Sequence, residues 1–379
     1  MVAAAVYAAD MLRTGASSLT DPNGRPLGDD FLNYWSGAFL AWHGRAADVY
    51  NWPAYHAFQQ SIVGAGVDNY FYGYPPILLV LTAPLAVLPY LPGLAVWLVS
   101  SWLCFYRALV MAMPGRSALL LALATPAVFV NAYGGQNGVW TAALFGGGLC
   151  LIDRRPFVAG MLFGLMTYKP QLGLLIPVAL VAGGQWRAIA GATISAGALI
   201  LASVLLFGPD MWRDFAHFVS VQRQVVLEDG TQSWHRMVSV FMLARRIGAD
   251  PQLAYAAQII AGLAAAALVA LAWFRDAPAP IRNASLVLGA LLATPYLMDY
   301  DTVVCAFVAV WLMSPESLAK TPERQAMIAV SLLLLLPLLN PTLSQLTGLP
   351  LGALMISPAF LLTARMILAA PALRVPAVR

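Results

Sequence analysis

Five stretches of this chain, 69–106, 117–152, 188–209, 251–274 and 325–364, run without a single Asp, Glu, Lys or Arg. Apolar runs of that length exceed what a soluble core requires and match the roughly 30 Å hydrocarbon thickness that a helix of about 20 residues crosses. Only 10% of the residues are charged, against about 25% in soluble domains. The sequence therefore describes a polytopic, all-α membrane protein, and excludes a soluble enzyme or a disordered scaffold. Its net charge of +4 comes from basic residues placed singly or in pairs. No basic stripe is present, so no nucleic-acid partner is expected.

The apolar runs read as about ten to twelve spans in one integral domain over 1–379. From the middle of the chain they fall near 138–152, 157–168, 170–184, 188–207, 252–274, 283–297, 302–314, 326–340 and 350–368. One set of connections is short and basic: Asp153-Arg154-Arg155, Arg187, Arg275 to Arg282, Lys320 to Arg324 and the tail Arg374 to Arg379. The other is aromatic, Gly/Pro-rich and holds most of the carboxylates, including two long loops, 13–75 and 208–251. Basic residues favour the cytoplasmic side, so the second set is expected to face outward. In the outer loops, Tyr34 to His43 and Tyr55 to Ile62 read as short interfacial helices. Among the runs 76–88, 91–113 and 117–130, the proline-rich 76–88 is expected not to span. Residues 1–12 are apolar but too short to cross, which reads as a misassigned start or an abbreviated first helix. Cys104, Cys150 and Cys305 lie in apolar segments without paired spacing and read as buried thiols.

Several polar residues sit where the apolar runs end in the outward set. Asp29 and Asp30 precede an aromatic helix. Such carboxylates cap helix N-termini, and they also suit a general base whose proton affinity is tuned by desolvation and a facing cation. Phe71-Tyr72-Gly73-Tyr74-Pro75-Pro76 reads as an aromatic belt with a rigid turn, or as a platform on which a sugar stacks. Gly134-Gly135-Gln136-Asn137-Gly138 puts two amides at a helix start, able to bond hydroxyls or phosphate oxygens. Lys169, in Thr167-Tyr168-Lys169-Pro170-Gln171, has no charged neighbour from 156 to 168 or from 170 to 186. A lone cation in such a run is expensive. It either snorkels to the interface or serves an anionic ligand; the chain's preference for Arg at every basic position but Lys169 and Lys320 favours the second. Short helices ending at Tyr168-Lys169-Pro170 would leave a pit open to the outer face. Tyr296, Asp299, Tyr300 and Asp301 cap helices or line that same pit, and His235-Arg236 in the long outer loop offers a phosphate or hydroxyl contact. No hydrolase elbow, HExxH or P-loop occurs, so no ATP, metal or other cofactor is expected, although an Asp pair is also a type of metal ligand.

Taken in order, Asp30-x-x-x-Tyr34, Gly37-Ala38, Tyr50, Tyr74-Pro75-Pro76, Gly135-Gln136-Asn137, Arg155, Gly160, Gly164, Lys169-Pro170-Gln171, Pro295 and Tyr300-Asp301 resemble glycosyltransferase family 87, polyprenyl-phosphate-mannose-dependent enzymes of the GT-C fold. The resemblance runs from about residue 28 to 370. It implies a multi-helix transferase of the bacterial plasma membrane with its site facing the periplasm or cell exterior. The enzyme would move a hexose, expected to be mannose, from a polyprenyl-phosphate donor to a lipid or glycan acceptor. The resemblance makes Asp30 the base. Lys169, Gln136 and Arg236 suit the donor phosphate, and Asp29, Tyr34, Tyr74, Asn137, Tyr168, Gln171, Tyr296, Tyr300, Asp301 and His235 the rest of the substrate site. The family's first span is largely missing here, and the histidine that some relatives carry near Pro295 has no counterpart. The rival readings are a secondary transporter, disfavoured because ionisable residues gather at helix ends and no inverted repeat appears, and a lipid-linked glycan polymerase or ligase.

Overall fold

The computed structural model describes residues 19–21, 24–230 and 233–369; the apolar run 1–12, read as a misassigned start or an abbreviated first helix, and the basic tail 374–379 lie outside the described residues. Among the described residues every regular element is helical, and only two isolated β-bridges occur, Thr20 with Pro26 and Met237 with Met298. Four helices are long and apolar enough to cross a membrane: Tyr90–Ala112, Trp186–Phe207, Pro251–Phe274 and Glu323–Thr347. Arg116–Ala124 and Pro126–Tyr133 form a broken pair bent by 51°, and five shorter apolar helices lie at Gly138–Leu151, Pro156–Tyr168, Pro170–Ala182, Ala279–Ala293 and Gly352–Leu368. The run 76–88 yields only Ile77–Leu81 and a 3₁₀ turn, Ala83–Val87, too short to span. In the most apolar window of each long helix, no more than 33% of residues are buried. The outward side chains are Leu, Ile and Val, among them Leu201, Leu205, Ile260 and Leu263. Such a surface is stable only against lipid.

Lipid gives helices no hydrophobic reason to associate, so small residues let them approach. Gly160 and Gly164 supply such a face on Pro156–Leu165. A Cβ at Gly160 would meet the Ala188 carbonyl oxygen at 1.9 Å, and one at Gly164 would meet Ser195 Oγ at 1.9 Å. The helix Trp186–Phe207 answers with Gly191, whose Cβ would lie 2.1 Å from the Phe157 carbonyl oxygen. Proline shapes the other elements. Pro177 starts a new helix, Ile176–Ala182, after the single turn Pro170–Gly173. Pro337 and Pro341 are carried inside Glu323–Thr347 without ending it, as packed membrane helices allow.

Arg282, nearly buried, pairs with Asp153 and with Asp276 at 2.6 Å, and its guanidinium lies 5.1 Å from the Trp273 ring centre. The basic loops are thereby tied together. The helix Phe31–Trp42 buries ten of its twelve residues and, with the 77–97 region, forms a second apolar cluster. This helix does not float on an interface: Phe31, Leu32, Tyr34, Trp35, Ala38 and Leu40 cover all of its faces, so it is packed rather than half-submerged.

Candidate active site

The loop 134–138 is wedged between two other backbones, and glycine is what permits it. Gly135 has φ +57°, and a Cβ there would lie 2.1 Å from the Gly28 carbonyl oxygen. A Cβ at Gly138 would lie 2.2 Å from the carbonyl oxygen of Tyr300. Trp97 Nε1 donates to the Gly135 carbonyl at 3.0 Å, and the Tyr90 hydroxyl donates to that of Leu27 at 2.7 Å. The loop therefore delivers Gln136 to the turn carrying Asp29-Asp30 and Asn137 to the segment Asp299-Tyr300-Asp301.

Asp30 stands at the N-terminus of Phe31–Trp42, but its side chain caps no backbone amide. Its Oδ2 accepts from Gln136 Nε2, and Gln136 Oε1 accepts from the Tyr34 hydroxyl at 3.0 Å. Tyr34 and Tyr74 hydroxyls are 2.9 Å apart, and Tyr50 donates to the Tyr74 carbonyl at 2.6 Å. Burial pushes the Asp30 carboxyl up to about 7; the adjacent Asp29 charge adds to this, while Arg236 and then Lys169 oppose it. A carboxyl poised there is matched to proton transfer near neutral pH. Burial, then Tyr74 and Tyr300, hold the Tyr34 phenol well above its ordinary range, so it remains a neutral hydroxyl. Asp29 adopts φ +45°, a strained conformation for a residue other than glycine, and its carboxylate accepts from Tyr70.

The cations are held by the second carboxylate segment. Lys169 is 1% exposed. Its helix ends in the 3₁₀ turn Met166–Tyr168, and its Nζ reaches Asp301 and, at 2.9 Å, Asn137 Oδ1. It neither snorkels nor opens into a pit: neutralisation by Asp301 is what makes its depth tolerable. Asp301 also accepts from Met298 N at 3.1 Å. Arg236, 25% exposed at the side chain, grips Asp299 through two bonds of 2.9 and 3.0 Å. Its backbone is fixed by the Met237–Met298 bridge, by Val238 N donating to the Leu297 carbonyl at 3.0 Å, and by Asn340 donating to the carbonyls of His235 and Met237. The Tyr300 ring lies between both cations, with Lys169 Nζ at 4.8 Å and the Arg236 guanidinium carbon at 5.8 Å.

The structure thus brings together Asp29, Asp30, Tyr34, Tyr74, Gln136, Asn137, Lys169, Arg236, Tyr300 and Asp301. Tyr296 joins them, within electrostatic reach of Asp30, Asp301 and Arg236. Tyr168 is buried one layer away, its hydroxyl 2.7 Å from Thr141 Oγ1. The His235 ring stands at 85° to the Trp234 ring, with centres 6.0 Å apart. Gln171, half-buried on the turn after Lys169, has no side-chain bond to the cluster. Sequence reading took Asp299 only as a helix cap or pit-lining carboxylate, without a substrate role, and did not select Tyr70 or Trp97. Only Asp299 carried a signal, being one of two carboxylates that flank a tyrosine. Among the described residues no three of His, Cys, Asp and Glu converge as a metal cluster.

Residues 71–295, more than half of the chain, match the family model described as glycosyltransferase family 87. That span contains Tyr74, Gln136, Asn137, Lys169 and Arg236, while Asp30 and Asp301 lie outside it. No curated protein and no solved structure matches the chain.

Proposed function

The chain belongs to glycosyltransferase family 87 and is a membrane glycosyltransferase, and from that premise we propose that it transfers a hexose, mannose by preference, from a polyprenyl-phosphate donor to a hydroxyl of a lipid or glycan acceptor. The reading puts the reaction at the outer face of a bacterial plasma membrane. Along the sequence, short basic connections alternate with aromatic, carboxylate-rich ones, and that alternation supports the orientation.

Asp30 acts as base in a single displacement. The acceptor O–H gives its proton to the Asp30 carboxylate, and the oxygen forms a bond to the anomeric carbon. The bond from that carbon to the phosphate oxygen breaks, and polyprenyl phosphate leaves with the electron pair, so the anomeric configuration inverts. The phosphate gains negative charge in this step, and cations fixed in advance stabilise it without reorganisation. Arg236 is the better placed to touch that phosphate, because part of its side chain remains exposed. Lys169 contributes at longer range while it anchors Asn137 and Asp301.

The observation that carries this reading is the Asp30 carboxyl, poised near 7, hydrogen-bonded by Gln136 and within reach of two cations. A base of this kind contributes about 10²–10⁴ in rate. The test is transfer from radiolabelled polyprenyl-phosphate-mannose to a lipid extract by protein in nanodiscs. Asp30→Asn is expected to abolish transfer without loss of folding. A folded Asp30→Asn protein of wild-type activity overturns the assignment, and uptake of a solute into liposomes with no sugar transfer favours the transporter.

A further inference from the structure

A row of aromatic rings leads away from Asp30 to the protein surface, and none of the roles above uses it. Trp52, 45% exposed, meets Phe71 at 4.2 Å between ring centres and at 90°. Phe71 lies 6.1 Å from Phe218, and Tyr50 lies 6.2 Å from Phe218 and 5.9 Å from Phe215. Three separate segments thus supply one continuous aromatic surface.

Its inner edge is joined to the candidate site by bonds. Asn33, one helical turn beyond Asp30, donates to the Phe71 carbonyl, and Tyr70 donates to Asp29. Tyr50 donates to the carbonyl of Tyr74, whose own hydroxyl meets Tyr34. Trp52 is held rigidly, at the first position of the helix Trp52–Val63, between the capping Asn51 and Pro53.

The elements that carry these rings also carry exposed polar side chains. The helix Asp210–Gln222 lays Phe215 and Phe218 on this surface and shows Arg213 and Asp214 outward. Asn51 and His217 are exposed beside the rings. A half-exposed indole whose neighbouring elements carry an amide, two charged side chains and an imidazole suits a ligand with one apolar face and a polar periphery. A pyranose ring has that character: its C–H face stacks on the aromatic surface while its hydroxyls reach the rim.

We infer that Trp52 and Phe71, backed by Phe218, form an acceptor subsite that stacks a pyranose ring of a glycan acceptor next to the residue attacked at Asp30. The assignment rests on the transferase reading above and extends it, making the acceptor a glycan of at least two sugars rather than a simple alcohol. Tyr72, which the sequence offered as part of a platform, is buried and belongs to the support.

The test is saturation-transfer NMR on the full chain in detergent, without donor, with mannotriose and maltotriose as probes. Wild type and Asp30→Asn are expected to give ring-proton signals. Trp52→Ala is expected to weaken binding about tenfold, the scale of one lost stacking contact, and Trp52→Phe to restore most of it. Absence of signal from both probes in the wild type overturns the subsite. So does a Trp52→Ala protein that binds like the wild type, an outcome that makes Trp52 a membrane anchor. The transfer assay with Asp30→Asn decides the base independently, so an active enzyme with Trp52-independent binding sinks the platform alone.

Discussion

Replacing Asp29 by Asn tests whether the neighbouring charge tunes the proposed base. Asn tolerates the positive φ that Asp29 adopts, and it keeps an oxygen for the Tyr70 hydroxyl, so the turn survives and only the charge is removed. Adjacent carboxylates in such a turn lie about 6 Å apart. At an effective dielectric constant of about 30 their repulsion is ~2 kcal/mol, or about one pH unit in the proton affinity of Asp30. Burial, the larger cause, stays in place. The wild-type kcat/KM is expected to fall on the acid side with a midpoint of about 7. In Asp29→Asn that limb moves to lower pH by about one unit. At pH 6 the ionised fraction of the base then rises from about 10% to about half, so the variant is relatively about fivefold faster there. On the alkaline plateau it is severalfold slower, because a weaker base gives less assistance. The assay is a pH–rate profile from 5 to 9 on both proteins. An acid limb that does not move refutes the electrostatic argument, and one that moves upward refutes its sign.

Asp30→Asn has a stability readout as well. A carboxyl raised from 3.8 to about 7 penalises the folded state as pH rises between those values, by up to about 4 kcal/mol at pH 8. The variant is therefore expected to unfold at higher temperature than the wild type at pH 8, with the gap closing toward pH 4, as read by thermal scanning in detergent. Lys169→Met or Asp301→Asn alone leaves a buried charge unpaired and is expected to destabilise by about 3–5 kcal/mol; the double change recovers part of that loss in the same measurement. Gly135→Ala forces a Cβ against the Gly28 carbonyl at positive φ and is expected to cut transfer at least tenfold by moving Gln136 off Asp30. Gly197→Ala, with open space around its Cβ, is expected to leave activity unchanged.

The helices were legible where an uncharged run met a clear stop. The expected span 138–152 is Gly138–Leu151, and 252–274 is Pro251–Phe274. Reading failed at proline. The expected 326–340 ends before Pro341, yet the helix runs from Glu323 to Thr347 through Pro337 and Pro341. Local rules charge a proline for its lost bond; packing against neighbours, which the sequence does not display, restores it. The same division holds in the site. Lys169 stood out because a lone cation in an apolar run needs a partner, but its partner Asp301 is 132 residues away, and nothing local distinguishes Asp301 from Asp299. The Phe31–Trp42 helix looked interfacial for its aromatics; its burial depends on the 77–97 region folding over it. Trp97 was invisible as a site residue because it acts through partners distant in sequence, the Gly135 carbonyl and the Tyr34 ring on which it stacks at 5.1 Å.

The arrangement of charges has a consequence for the order of binding and proton transfer. Asp299 already occupies Arg236, and Asp301 occupies Lys169, so the two cations stabilise Asp30 only through space, and Asp29 works against them. An arriving phosphodiester brings one more negative charge toward Arg236. On the proposed reading it weakens that cation's hold on the Asp30 carboxylate and raises the proton affinity of Asp30 further. Donor binding and protonation of Asp30 are then mutually favourable, since linkage is reciprocal. Catalysis requires the opposite state, a carboxylate free to take the acceptor proton. The acid limb of kcat, which reports the complex, must therefore lie at higher pH than that of kcat/KM, which reports the free enzyme. Asp29→Asn shifts both limbs downward together, because Asp29 is pinned to Tyr70 and not to the donor. Coincident limbs in the wild type would mean that the donor phosphate binds out of electrostatic range of Asp30, and would remove Arg236 from the phosphate site.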